Sequence, residues 1–324
     1  MVEKNHLLFL YIFNDIYFQM KEKASMNRTI TLTDEERNEL KFDIDYFYRQ
    51  TDRIVRGNFE NVNEYIPAGI AQVILLDPPY NITKQYGETL FKAMPDDEYF
   101  NYVLDIFEKC LNKLSDTGTM YICGDWKSSY IQRKALEVLE NKGMCNVINR
   151  ITWSRDKGRG ANNNWKNNIE DIWMVVKDKT NYYFNLEGVK IKKTVLAPYK
   201  DKAGNNKDWT TDEDGKAYRM TCPSNIWFDI TVPFWSMAEN TDHPTQKSEK
   251  LYAKLILASS KPGDLIYEPF AGVCSGAVTA KKLNRKFIAV EMEADYCMLG
   301  AKRLRIAENN TNIQGYEDGI FRDK

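Results

Sequence analysis

Histidine is the scarcest chemically useful residue in this chain: only His6 and His243 occur in 324 residues. The six cysteines (Cys110, Cys123, Cys145, Cys222, Cys274 and Cys297) form no CxxC pair and keep no regular spacing. A zinc site is therefore not expected, nor is any other metal. Free thiols in a reducing cytoplasm fit this pattern best. An excess of either charge is also missing, with 45 Lys and Arg against 46 Asp and Glu, a net charge of −1. No global field draws nucleic acid, so binding of that kind has to be a local patch. Residues 150–220 hold 15 basic and 10 acidic side chains, a modest excess that a solvated charged face also explains. No run is apolar enough to cross a bilayer. Residues 7–18 come nearest, but Asn14 and Asp15 interrupt them, and no small-residue cleavage site follows. That stretch reads either as a helix docked on the body or as an upstream extension before Met26.

What is present is an ordinary globular composition, 43% apolar and 28% charged, in a chain long enough to bury a full core. Strand and helix signals alternate, which predicts an α/β fold with a doubly wound, mostly parallel sheet. Residues 53–56 and 73–76 read as strands, the second apolar without alternation, as a strand covered on both faces is. Residues 97–114 read as an amphipathic helix, 119–122 as a strand and 128–140 as a second helix. Residues 147–153 and 172–176 read as an antiparallel pair joined by a Gly/Asn-rich loop. From 180 to 241 the chain is aromatic, polar and irregular, which in a compact protein marks a functional loop region. Alternation resumes at His243: Pro244 is expected to open a helix, followed by strand 265–267, helix 276–283 and strand 287–290. The predicted division is an N-terminal extension (1–30), a catalytic half (31–178), an inserted region (179–241) and a cofactor-binding half (242–324).

Three short motifs carry chemistry. Asp77-Pro78-Pro79-Tyr80-Asn81 closes an apolar strand. Two prolines there make a rigid turn and remove two backbone donors, leaving carbonyls as acceptors. The amino group of a nucleobase is a poor nucleophile, because its lone pair is delocalised into the ring. Accepting its hydrogens at the Asp77 carboxylate and the Pro78 carbonyl turns that lone pair toward an incoming electrophile. Tyr80 offers an aromatic face to a base swung out of the duplex. The second motif, Glu268-Pro269-Phe270-Ala271-Gly272, follows another apolar strand, and Glu291 lies 23 residues past Glu268 at the end of the next. That is the distance at which a carboxylate takes ribose hydroxyls in a mononucleotide-binding half. No lysine follows the turn as a P-loop requires, so a triphosphate is disfavoured. The third, His243-Pro244-Thr245-Gln246-Lys247, is expected to offer the free donors of a helix start to a carboxylate.

In this order the motifs resemble the beta class of S-adenosylmethionine-dependent DNA amino-methyltransferases, chiefly the adenine-specific enzymes of restriction-modification systems. The resemblance covers about residues 40–307 and rests on DPPYN together with HPTQK. It implies S-adenosylmethionine as cofactor and double-stranded DNA as partner, and points to a cognate restriction endonuclease and a homodimer. It further implies that Asp77, Pro78, Pro79 and Tyr80 hold the flipped base. Phe270, Gly272 and Glu268 would line the cofactor, with Asp77 beside it and Glu291 on its ribose. His243, Thr245 and Gln246 would approach its methionine end, and Asn58, after Gly57, its adenine. Asp in the tetrad favours adenine, which makes the expected product N6-methyladenine. Asn81, Arg155, Lys157, Arg159 and Lys166 are candidate DNA contacts. Glu268, Ser248 and Cys274 depart from the family pattern. Cys274 stands where a second glycine is usual, and a side chain there is expected to narrow the approach to the cofactor. Two other readings stay open: the same chemistry on the amino group of cytosine or on RNA, and a non-catalytic nucleic-acid-binding subunit.

Overall fold

The computed structural model describes residues 25–40, 51–155, 162–196 and 199–322. The apolar segment 7–18 and two candidate DNA contacts, Lys157 and Arg159, lie outside the described residues. In chain order the first part runs α1 (Asp34–Leu40), β1 (Arg53–Arg56), α2 (Phe59–Asn63), β2 (Ala71–Leu76), β3 (Lys84–Tyr86), β4 (Thr89–Phe91), α3 (Asp96–Lys113), β5 (Leu114–Gly124) and α4 (Trp126–Asn141). Next come β6 (Asn146–Ser154), β7 (Ile169–Val176), β8 (Ile191–Thr194), β9 (Thr210–Thr211), β10 (Ala217–Thr221) and β11 (Ile226–Trp227). The last part holds α5 (Glu249–Ser259), β12 (Leu265–Glu268), α6 (Ser275–Lys282), β13 (Lys286–Glu291), α7 (Ala294–Asn309), β14 (Tyr316–Glu317) and β15 (Ile320–Arg322).

Eight strands form one sheet in the order β1-β13-β12-β2-β5-β7-β6-β11, and the first five are mutually parallel. Only β7 runs antiparallel to both of its neighbours. The expected α/β architecture is therefore present. Its central strands are apolar on both sides because both faces are covered. Val73 and Leu75 of β2 join one buried cluster while Ile74 and Leu76 join the other. The same split divides Phe287 and Ala289 of β13 from Ile288 and Val290. A strand side chain changes face at every residue, so a strand packed by helices on both faces shows no polar alternation.

The structure departs from expectation in two places. The helix expected at Pro244 begins only at Glu249, where the Ser248 hydroxyl accepts from the Lys250 amide at 3.2 Å. Residues 243–247 are held as a turn instead, by the buried side chain of Gln246. Its Oε1 accepts from the amide and hydroxyl of Thr241 at 2.9 and 2.7 Å, and its Nε2 donates to the Glu239 carbonyl at 2.6 Å. Second, the stretch expected to be irregular carries β8, β9 and β10, which build a smaller sheet with the last residues of the chain in the order β14-β15-β8-β10-β9. Fully buried Phe321 of β15 lies opposite Ile191 of β8. Strands this short, with β8 and β15 paired across more than a hundred residues, leave no local periodicity to read.

Candidate active site

Strands β1, β13, β12 and β2 are neighbours and parallel, so their C-terminal ends lie along one edge of the sheet. Such an edge is where open α/β sheets bind ligands. Pairing of Ile266 with Val73 and Tyr267 with Ile74 brings the turn after β12 beside the turn after β2. Together they wall a cavity of about 400 Å³. Asn58, Asp77, Pro78, Pro79, Tyr80, His243, Thr245, Gln246, Glu268, Phe270, Gly272 and Glu291 all line it. A cavity of this size falls within the range of small-molecule sites.

At one end lies Glu291. Its carboxylate accepts the Gly272 amide at 2.7 Å and the Glu293 amide at 2.8 Å. Burial outweighs these bonds and lifts its pKa to about 7. Gly272 has φ +52°, and a Cβ there would lie 3.0 Å from His243 Nε2, so the turn and the imidazole approach too closely for a larger residue. Phe270 stacks on Phe59 with centroids 5.1 Å apart, forming an aromatic wall. Asn58 caps α2 by accepting from the Glu60 amide at 2.9 Å. His243 accepts the Thr245 amide at Nδ1, and burial depresses its pKa to about 3, so the ring is neutral. Glu268 faces the cavity, but its two oxygens accept the Gly276 and Ala277 amides at 2.9 Å each, at the start of α6. Burial raises its pKa to about 8 in spite of these bonds.

At the other end, Asp77 sits in a cluster that local sequence does not announce. Lys247 Nζ lies 2.6 Å from Asp77 Oδ2 and 3.4 Å from Glu170 Oε2. The Tyr80 hydroxyl lies 2.8 Å from Asp77 Oδ1 and 3.3 Å from Glu170 Oε2. Burial raises the Asp77 pKa, with Lys247 opposing and Glu170 adding to the rise. Burial works against the Lys247 charge, yet the two carboxylates outweigh it and hold the ammonium well above the usual lysine range. The Tyr99 hydroxyl donates to the Pro79 carbonyl at 3.0 Å and fixes the proline turn from behind. No described residue donates to the Pro78 carbonyl. Lys247 stands in HPTQK, and only the tertiary turn aims it at Asp77. Glu170, on β7, carries no motif at all.

The expected DNA contacts are more scattered. Asn81 uses its side chain on the backbone of Met94, accepting its amide at 2.9 Å and donating to its carbonyl at 2.8 Å, so it clamps the 81–94 loop. Arg155 is bound to Glu170 at 2.9 Å, and Lys166 is exposed beside Trp165. Between Asn81 and Met94, β3 and β4 form a hairpin that reaches α7. The Gly87 amide donates to the Tyr296 hydroxyl at 3.0 Å, and the Glu88 amide and Thr89 hydroxyl donate to the Glu293 carboxylate.

Cys274 does not narrow the cavity. It precedes α6 at φ 60°, fully buried, and is not among the residues that line the pocket. Its thiol points into the core toward Gly300, where an added Cβ would fall 2.5 Å from Sγ and 3.3 Å from Ile54 Cδ1. The missing glycine of the turn is thus matched by a glycine on α7. Gly300→Ala should destabilise the fold by about 1–3 kcal/mol through overpacking. Adding Cys274→Gly should restore most of that loss, because it removes the clash and suits the left-handed backbone. Chemical denaturation of the two single variants and the double variant measures the coupling.

A family described as DNA methylase matches residues 71–302. The DNA adenine methyltransferase YhdJ of Escherichia coli is 30% identical over 268 residues, covering 81% of this chain and 86% of that protein. The Type II methyltransferase M.HpaI of Haemophilus parainfluenzae is 28% identical over 253 residues, 78% of this chain and 74% of its own. Among solved structures, the cytosine-N4-specific PvuII DNA methyltransferase superposes with a TM-score of 0.57 at 15% identity, covering 80% of this chain and 92% of that one. The M1.HpyAVI complex with S-adenosylmethionine gives 0.52 at 21% identity, covering 78% and 98%.

Proposed function

Since the chain belongs to the DNA methylase family, we propose that its cavity carries methyl transfer from S-adenosylmethionine to the exocyclic N6 nitrogen of adenine in double-stranded DNA. The carrying observation is the meeting, in one cavity, of a ribose-type carboxylate (Glu291) and a carboxylate–proline–tyrosine wall (Asp77, Pro78, Tyr80). Adenine is supported by the aspartate of the tetrad and by the adenine methyltransferase of Escherichia coli among the relatives. The residues fit the cofactor: an acidic strand end for ribose hydroxyls, an aromatic wall from Phe59 and Phe270, and a glycine turn pressed against a neutral imidazole. When bound, S-adenosylmethionine supplies an electrophilic methyl group on a sulfonium. Asp77 and the Pro78 carbonyl accept the two amino hydrogens and orient the nitrogen lone pair, and Tyr80 supports the ring. Asn58 would take the adenine end of the cofactor, and His243, Thr245 and Gln246 its methionine end.

Lys166, with Lys157 and Arg159 before it in sequence, is assigned to DNA phosphates and base edges, whereas Arg155 is engaged by Glu170. A cognate endonuclease and a second copy of the chain are further proposed partners, and light scattering of the purified protein tests the second. Among the described residues no helix is long and apolar enough to cross a membrane. A DNA substrate accords with a cytoplasmic location.

Labelled S-adenosylmethionine incubated with mixed-sequence duplex, followed by digestion and mass spectrometry of nucleosides, tests the reading. Labelled N6-methyladenine is expected; labelled N4-methylcytosine would move the activity to the other base. Cofactor affinity should also depend on pH. Hydrogen bonds from ribose hydroxyls favour the Glu291 anion, whose pKa lies near 7. Affinity should therefore weaken below pH 7, approaching about tenfold per unit, and level off above pH 8. Calorimetry across that range reads the slope, and Glu291→Gln should flatten it.

A further inference from the structure

The amino nitrogen that gains a methyl group must lose a proton, and the residues around Asp77 lead that proton somewhere definite. The Tyr80 hydroxyl stands between two carboxylates, 2.8 Å from Asp77 Oδ1 and 3.3 Å from Glu170 Oε2. It has one hydrogen and two acceptors, so it donates to one carboxylate at a time, and its oxygen can accept from the other once that carboxyl is protonated. Lys247 touches the same three groups, 3.2 Å from the Tyr80 oxygen, and balances one of the two negative charges. Glu170 does not line the cavity, and its side chain is only 6% exposed. Arg155 holds its other oxygen at 2.9 Å, on the side away from Tyr80. A second buried carboxylate beside the first is electrostatically unfavourable, and holding Lys247 does not require it, since Asp77 already does so at 2.6 Å.

We propose that Glu170 is the terminal acceptor of the proton released on methylation, reached from Asp77 through the Tyr80 hydroxyl. The inference rests on the methyl-transfer reading above. As the nitrogen–carbon bond forms and the carbon–sulfur bond breaks, the electron pair of the latter stays on sulfur and the nitrogen becomes positive. Its proton passes to the Asp77 carboxylate. Asp77 then gives a proton to the Tyr80 oxygen as Tyr80 gives its own to Glu170 Oε2. Asp77 ends ionised, Tyr80 neutral and Glu170 as the carboxylic acid. Lys247 stays an ammonium throughout. Glu170 acts through Tyr80 and Asp77, and so is a positioning and proton-holding residue that does not touch the substrate.

The surroundings permit this. The cations facing the two carboxylates are Lys247, Arg155 and Lys84. The other titratable neighbours are held protonated by burial: Tyr80, Tyr86, Tyr252 and Cys123 lie above their usual range. Glu268, the remaining acid near Asp77, has its pKa lifted to about 8 and its oxygens occupied by α6.

The decisive variant is Glu170→Gln, which keeps size and hydrogen-bonding reach and removes the proton acceptor. Single-turnover methylation is followed against pH with saturating cofactor and DNA. The plateau rate should fall by about a hundredfold. The acid limb should move to lower pH, because Asp77 loses the neighbouring charge that raises its pKa. Cofactor affinity by calorimetry, and base docking by the fluorescence of 2-aminopurine at the target position, should match the natural chain. A plateau rate equal to the natural one overturns the proposal, and so does a reduced plateau with an unmoved acid limb. Tyr80→Phe supplies a second reading, since it keeps the ring and removes the bridge. Combined with Glu170→Gln it should cost no more than the larger single loss, whereas independent, multiplying losses sink the relay. If the natural chain itself makes no methylated base, the proposed function fails, and that failure is separate from any result with Glu170.

Discussion

Asp77→Ala should lower single-turnover methylation by about two to three orders of magnitude and leave cofactor affinity close to that of the natural chain. The first effect follows from chemistry. The delocalised amino lone pair needs an acceptor for its hydrogens; Asp77 lines the cavity, and the oxygens of Glu268, the other acid near it, are taken by the Gly276 and Ala277 amides. The second follows from topology: Glu291 stands at the end of β13, and Phe270 and Gly272 follow β12, so the cofactor wall does not depend on the turn after β2. The fold should survive, because Lys247 keeps Glu170 as a partner at 3.4 Å. Asp77→Asn, which retains one acceptor oxygen, should fall between the two. Rapid-quench assays read the rate and calorimetry the affinity. Unchanged turnover in Asp77→Ala would falsify the assignment of the tetrad.

Lys247→Met should have the largest effect on stability. Its side chain is 6% exposed, and its ammonium contacts both Asp77 and an equally buried Glu170. Removing the cation leaves two buried carboxylates facing each other, and breaking such a buried arrangement costs about 3–5 kcal/mol. The loss should depend on pH with a definite sign. Without Lys247, burial and Glu170 raise the folded pKa of Asp77 still further above its unfolded value. The folded variant then binds a proton that the unfolded chain releases, so its stability is greatest in acid and falls as pH rises through that folded pKa. Thermal melts at pH 5 and pH 8 should differ more in the variant than in the natural chain. Equal differences would mean that the two carboxylates do not share Lys247's charge in the folded state.

Much of the fold was open to reading along the chain. Helix α3 at Asp96–Lys113 and strands β12 and β13 fall within a residue or two of where periodicity puts them. Each is long enough, or apolar enough, to carry its own pattern. The misplaced helix start at Pro244 shows the limit. Proline is at home in a first helical turn, but here the Gln246 amide outcompetes it by satisfying Thr241 and Glu239 in a turn. The small sheet of β8, β9, β10, β14 and β15 was invisible because each strand is at most five residues long and its partners come from both ends of the chain's second half.

The site divides along the same line. The residue types that chemistry requires (a carboxylate before two prolines and a tyrosine, a glycine turn, an acid at the following strand end) are local, and the reaction class came from the family resemblance that their order carries. Which of them meet is not local. The 190 or so residues between Asp77 and Glu268 close only because β2 and β12 are neighbours in the sheet. Lys247 reaches Asp77 only through a turn held by Gln246, and Glu170 arrives from a strand with no motif of its own. The direction of Cys274 was likewise decided by the room that Gly300 leaves on α7. Backbone propensity and short motifs act over a few residues. Charge pairing, burial and steric fit act over ångströms of space, and proximity in space is settled only when the sheet is assembled.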